Sequence, residues 1–180
     1  VLKVSAVGNG EFRPQENKVV RDRSLFNPAI CVRKGDLLIT RANTPQLVGR
    51  SCVVRDDRPG LMLCDKTLRL RVADQSVPVR YLHIVLGLAE IRRQIEIAAT
   101  GTSSSMKNIS QHAIKEIMIP IGNAGDVDRV VETDRLYEAE VASLNEEVDQ
   151  LHLLKQGLMD DLLTGRVRVP GREMERLGMV

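Results

Sequence analysis

The residues that could do chemistry in this chain are few, and their spacing limits what each could do. His83, His112 and His152 stand far apart, none with a second histidine or a cysteine at ligand spacing. They read as structural or solvated, and no metal site is expected. Cys31, Cys52 and Cys64 share no CxxC spacing, and each sits in an apolar, strand-like stretch. That usage predicts buried free thiols in a reducing, cytoplasmic setting rather than a disulfide framework. Asp65-Lys66 resembles part of a nuclease carboxylate–lysine pair, but no Pro-Asp partner lies upstream. Phe26-Asn27-Pro28-Ala29 lacks the second proline and the aromatic of the amino-methyltransferase motif, and reads as a turn. Ser103 to Ser105 has no nucleophile-elbow context. The expectation is a chain with no catalytic residues and no cofactor.

Binding chemistry is better represented. Residues 1–125 hold 19 Lys/Arg against 11 Asp/Glu, a net of +8, whereas residues 126–180 hold 7 against 13, a net of −6. The overall +2 therefore hides two regions suited to different partners. A basic surface that includes Arg41, Arg50, Arg69, Arg71, Arg92 and Lys107 suits duplex DNA, which rewards cation clustering through counterion release. Arg and Asn also read base edges. Two places combine cations with small polar groups: Arg41-Ala42-Asn43-Thr44 at a strand end, and the loop Gly101 to Asn108. On residue type and loop location, the candidate DNA contacts are Arg41, Asn43, Arg50, Thr102, Ser103, Ser104, Lys107 and Asn108. The aromatic set is only Phe12, Phe26, Tyr81 and Tyr137, too sparse for a single-strand stacking platform. No apolar run approaches the ~18 residues of a spanning helix, and the N-terminus has no signal-peptide layout.

These candidates need elements to hold them. Leu2, Val4 and Ala6 alternate with polar residues, predicting a strand before the Gly8–Gly10 turn. Lys34-Gly35-Asp36 is a turn, and Leu37 to Thr40 a buried strand. Val48 to Val54 reads as a strand with a bulge at Gly49. After the turn at Asp57-Arg58-Pro59-Gly60, Leu61–Cys64 and Thr67–Val72 read as a hairpin, its second arm apolar on one face and basic on the other. Helical spacing then runs from Pro78 to about Ala99, Ser110 caps a short helix, and Ile117 to Pro120 reads as a last strand.

Gly122-Asn123-Ala124-Gly125 marks a boundary. Beyond it, residues 126–164 contain no Gly or Pro except Gly157, and one heptad frame makes nine of eleven seam positions apolar. That is a coiled-coil pattern, interrupted at Asp134 and Lys155, in a helix about 58 Å long at ~1.5 Å per residue. Its interface residues are expected to be Val141, Leu144, Val148, Leu151, Leu158 and Leu162. The predicted fold class is mixed α/β (α+β): a strand-rich domain over 1–125, a long coiled-coil helix over 126–165, and a tail over 166–180.

Several runs resemble one family. Gly35-Asp36-Leu37-Leu38-Ile39-Thr40-Arg41-Ala42-Asn43 followed by Val48-Gly49 is similar to the signature of target recognition domains. These occur in specificity (S) subunits of type I restriction-modification systems. The Gly-Thr-Ser loop at 101–105, Asn108-Ile109-Ser110, Ile119-Pro120, and the closing run Leu154 to Val169 with Gly157-Leu158-Met159-Asp160-Asp161-Leu162-Leu163-Thr164-Gly165 follow the same order. The resemblance implies a non-catalytic subunit. It would read one half of a split duplex DNA target and dock methyltransferase subunits through its helix, with the restriction subunit joining indirectly. It also implies a helix partner: another copy in antiparallel pairing, or a separate half-subunit. Family domains open with some tens of residues ahead of the segment matching Leu2 to Ala6, so the domain is expected to be N-terminally incomplete. Gly122–Gly125 replaces the family's Pro-Pro-Leu-x-x-Gln stretch, which predicts a flexible junction. A competing expectation is a truncated coiled-coil assembly scaffold that no longer reads DNA.

Overall fold

The computed structural model describes residues 1–168, apart from 9, 75 and 102–105. Its architecture is mixed α+β: small antiparallel sheets followed by a long helix. By contacts the chain divides into two units, Val1–Val131 and Glu132–Val180.

The first unit is organised by β1 (Leu37–Thr40), which is buried along its whole length. It is the middle strand of a three-stranded antiparallel sheet, flanked by β3 (Ser51–Val53) and β4 (Thr67–Leu70). Leu37 stands opposite Val53 and Leu70, and Leu38 opposite Cys52 and Arg69. Successive side chains point to opposite faces of a strand, so the two leucines enter two cores. Leu37 packs with Tyr81, Val85, Ile91 and Ile95 from the helices, together with Val48, Ile109, Val127 and Val131. Leu38 packs with Leu2, Ala6, Val7, Val32, Cys52 and Val54. Burial on both faces explains a continuous Leu-Leu-Ile run where a half-exposed strand would alternate.

Several expected elements take other forms. Leu2–Ala6 is no strand: Val4–Ala6 is a 3-10 turn, with Ala6 N–H donating to the Lys3 carbonyl at 3.1 Å. Leu2 and Ala6 are buried all the same, in the core that also takes Leu38. The Leu61–Cys64 segment does not pair with Thr67–Leu70. Instead it lies on the segment at 30–32, with Val32 N–H to the Leu61 carbonyl at 2.8 Å and Leu63 N–H to the Ile30 carbonyl at 2.9 Å. The strand Thr67–Leu70 goes to β1, whose second edge would otherwise be unpaired. The stretch 48–54 is strand only from Ser51, since Thr44 to Gly49 forms a tight turn.

The helical stretch after Pro78 is two helices, α1 (Val79–Gly87) and α2 (Ala89–Ala98). Gly87 ends the first, and Leu88 is extended at φ −62°, ψ 142° while its carbonyl accepts from Arg92 N–H to start the second. Glycine is among the weakest helix formers, so the break falls there. Ile117–Pro120 is also no strand. Its backbone is held by a side chain: Gln94 accepts from Met118 N–H and donates to its carbonyl, both at 3.0 Å. Tyr81 Oη donates to the Pro120 carbonyl at 3.0 Å. The short helix α3 (Gln111–Lys115), which follows β5 (Lys107–Asn108) in the chain, is capped as expected, Ser110 Oγ accepting from Ala113 N–H at 3.0 Å.

The long helix α4 covers Ala124–Leu163. Its start is a defined junction rather than a loose one. Asn123 Oδ1 accepts from Asp126 N–H at 3.0 Å, and Asn123 Nδ2 donates to the Asp126 carboxylate at 2.6 Å. Val127 and Val131, one turn apart on one face, enter the first unit's core. In the second unit the seam residues Val141, Leu144, Val148, Leu151, Leu158 and Leu162 are 40–56% exposed. Ion pairs there, such as Arg135–Glu132 at 3.6 Å and Arg166–Asp161 at 3.5 Å, are local and solvated. Among the described residues, no helix is long and apolar enough to cross a membrane.

Candidate nucleic-acid interface

Two segments more than sixty residues apart meet at the end of the sheet. Chain leaving β1 passes Arg41 and forms β2 (Ala42–Asn43), which pairs antiparallel with β5. Ala42 stands opposite Asn108, and Asn43 opposite Lys107. Arg41 extends the junction, its carbonyl accepting from Ile109 N–H at 2.8 Å. Four candidate residues chosen from separate loops thus occupy one small ladder: Arg41, Asn43, Lys107 and Asn108.

The ladder also closes the polar loop. Thr100 and Asn108 exchange both backbone hydrogen bonds at 2.8 Å, and Lys107 Nζ donates to the Gly101 carbonyl at 2.8 Å. Gly101 has φ +140°, and a Cβ there would lie 2.7 Å from the Met106 carbonyl oxygen, so glycine is required. Thr102, Ser103 and Ser104 lie outside the described residues.

Arg50 arrives from the other side of β1. Thr40 N–H donates to the Arg50 carbonyl at 2.9 Å, which sets Arg50 beside Arg41 at the strand end. Its Nε donates to the Gln46 carbonyl at 3.3 Å. Arg41 N–H donates to the Lys66 carbonyl at 2.9 Å, so half-buried Lys66 adjoins the same end. Lys66 entered the sequence reading only as part of a nuclease-like pair; no local pattern signals that Arg41 contacts it. Asn43 Oδ1 accepts from Thr44 N–H at 2.9 Å. A carbonyl oxygen has two lone pairs, so that bond leaves capacity for a base edge.

Two cations expected on the surface are elsewhere. Arg69 lies within the fold, its Nε 2.9 Å from an Asp36 carboxylate oxygen and its Nη2 donating to the Cys31 carbonyl. Arg92 is buried on α2 beneath the 44–50 turn, with Nη2 donating to the Val48 carbonyl at 2.8 Å. Burial pushes the Arg92 guanidinium below its ordinary pKa, the Arg50 charge adds to this, and Glu96 opposes it. Both arginines were legible as basic residues, but helix or strand period alone did not reveal their carbonyl acceptors.

The arrangement offers hydrogen-bond donors and positive charge at one strand end. Among the described residues, no group of three or more His, Cys, Asp or Glu could hold a metal ion. His83 Nδ1 lies 3.0 Å from Ser51 Oγ, between α1 and β3, a pair the sequence reading did not find. Cys31, Cys52 and Cys64 are free thiols, but burial was expected of all three and holds only for Cys52; Cys31 and Cys64 are half-buried. Cys52 is buried, and burial pushes its pKa up to about 12.

Comparison with known proteins bears on this interface. No family model matches the chain. It is 34% identical over 121 residues to the type I restriction enzyme EcoEI specificity subunit of Escherichia coli, a match covering 67% of this chain. The chain spans 20% of that relative's length. Its fold is similar to the crystal structure of a type I restriction-modification system S subunit from M. genitalium. The TM-score is 0.59 at 16% identity, covering 77% of this chain and 34% of that one. The chain is homologous to the specificity (S) subunits of type I restriction-modification systems, of which it spans a part.

Proposed function

We propose that this chain is a non-catalytic, sequence-specific reader of duplex DNA, covering one half of a bipartite target in a cytoplasmic type I restriction-modification complex. Residues 1–125 serve as the target recognition domain, residues 126–165 as the spacer and assembly helix, and residues 166–180 as a tail. Arg41, Arg50 and Lys107 take phosphates or guanine edges, and Asn43 and Asn108 take adenine edges. Thr102, Ser103 and Ser104 add hydroxyl contacts to the backbone. The helix seam docks methyltransferase subunits or an antiparallel helix, either of a second copy or of another half-subunit. The restriction subunit is reached through the methyltransferase.

The observation that carries the reading is the β2–β5 ladder, which gathers candidate residues from two distant loops at one sheet end. Homology supports it, and the excess of cations in residues 1–125 agrees with it. The test is gel-shift binding to duplexes at rising salt, with methyltransferase subunits present. A preferred sequence that survives salt better than random duplex is expected, because phosphate contacts weaken with salt while base contacts persist. Equal binding to all duplexes, with methyltransferase still retained, would leave only an assembly scaffold.

A further inference from the structure

The turn at residues 44–50 has its carbonyls held from beneath. Thr40 Oγ1 donates to the Leu47 carbonyl at 2.7 Å. Arg92 Nη2 donates to the Val48 carbonyl at 2.8 Å and reaches the Gln46 carbonyl at 3.4 Å. Arg50 Nε also donates to Gln46, so two guanidinium groups share one acceptor. Arg92 is 7% exposed, and its Nη1 has no hydrogen-bond partner. The backbone passes close over this head. Gly49 has φ +70°, and a Cβ there would lie 2.4 Å from Ile95 Cγ2 and 3.2 Å from Arg92 Nη1.

We infer that Arg92 is a positioning residue for DNA recognition, fastening the 44–50 turn to α2 so that Arg50 is presented to the duplex. The inference rests on the DNA-reading proposal above. Its logic is a handover at Gln46. When Arg50 turns to a phosphate or a guanine, it gives up the Gln46 carbonyl. Arg92 keeps that carbonyl satisfied, so Arg50 leaves no orphaned acceptor behind. The two like charges also favour an outward Arg50, toward an anion. A lysine at 92 supplies charge but no guanidinium nitrogen held in plane between the two carbonyls.

The test compares the full chain with Arg92→Gln and Arg92→Lys, each first shown to melt cooperatively. One readout needs no DNA. The amides of Val48, Gly49 and Arg50 all donate within the turn or to Thr40, so their hydrogen exchange reports the fastening. Exchange about tenfold faster in Arg92→Gln, partly restored in Arg92→Lys and with β1 amides unchanged, is expected. Unchanged exchange at these three amides overturns the inference whatever DNA does. The second readout is a double-mutant cycle with Arg50→Ala, using duplexes selected from a randomised pool in the presence of methyltransferase subunits. Arg92→Gln should cost about tenfold in affinity alone and almost nothing in the Arg50→Ala background. Equal losses in both backgrounds would mean Arg92 only stabilises the fold, and would overturn the positioning role while DNA reading stands. If the wild-type chain selects no duplex, the DNA-reading proposal fails and the role falls with it, even where exchange shows the turn to be fastened.

Discussion

Two apolar stretches of this molecule meet opposite fates. Leu37–Thr40 is buried along its length, because the same chain returns on both edges and both faces of the strand. The seam of α4 is as regular a pattern, yet from Val141 to Leu162 its residues stay roughly half exposed. A strand of four residues needs only short neighbours, which the 130 or so residues around it supply. A forty-residue helix with a narrow stripe needs another long helix. Apolar periodicity therefore marks a face suited to burial, and the length of the element sets how long a neighbour is needed to cover it. The charge divides along the same line, +8 over residues 1–125 and −6 beyond.

The sharpest way to break this contrast is to truncate one leucine in each region. Leu38 is fully buried in the second core. Leu38→Ala should cost about 2–5 kcal/mol in urea unfolding, from lost transfer energy and the cavity left behind. Leu151→Ala, at a position 56% exposed, should stay within about 0.5 kcal/mol in dilute chain. A comparable loss at Leu151, together with a melting temperature that rises with protein concentration, would show the seam already covered by a second copy.

Gly49→Ala comes next. The left-handed backbone at φ +70° and the 2.4 Å approach to Ile95 Cγ2 act together, for a loss of about 2–4 kcal/mol. Gly157, on the long helix, has nothing within 4 Å of an added Cβ. Gly157→Ala should instead stabilise the helix by about 0.5–1 kcal/mol. Circular dichroism melts of the two variants separate these signs, and destabilisation at both would place Gly157 in a covered interface.

Part of this contrast was legible in the sequence. The strand Leu37–Thr40, the cap at Ser110 and the extent of the long helix follow from local patterns: an apolar run between turns, a hydroxyl at a helix start, a heptad without breakers. The misread segments are those whose partners are remote. Ile117–Pro120 has strand composition, but its backbone is bound by Gln94 on α2. Thr67–Leu70 pairs with β1 across about thirty residues rather than with the adjacent segment. At the candidate interface, residue types marked Arg41, Asn43, Lys107 and Asn108, while only the ladder register shows them as neighbours. The buried roles of Arg69 and Arg92 carry no local signature, because any arginine in a basic stretch reads as surface.

Cys52 offers a pH handle on the buried side alone. Its folded pKa of about 12 lies above the ordinary 9.0, so the thiol form is favoured by folding. The stabilisation is complete below pH 9 and is lost as pH rises toward 12, by about 1.4 kcal/mol per unit at most. Cys52→Ala should flatten the alkaline limb of a stability profile between those values. At neutral pH, a thiol reagent should label Cys31 and Cys64, both half-buried, well before Cys52. Equal labelling of all three in native protein would show that the second core opens freely.

The smallest effect probes where the two regions join. Asn123 caps α4 by accepting from Asp126 N–H, and Asp126 returns the contact as acceptor from Asn123 Nδ2. Asn123→Ala removes both bonds, for about 1 kcal/mol of helix stability. The cost should be local. Val127 and Val131 hold the first turns in the core, so their amides should exchange a few-fold faster while β1 amides keep their protection. If the β1 amides lose protection equally, the helix start and the sheet unfold as one cooperative unit. The boundary then lies beyond Val131, and the cap stabilises the whole first unit rather than the helix alone.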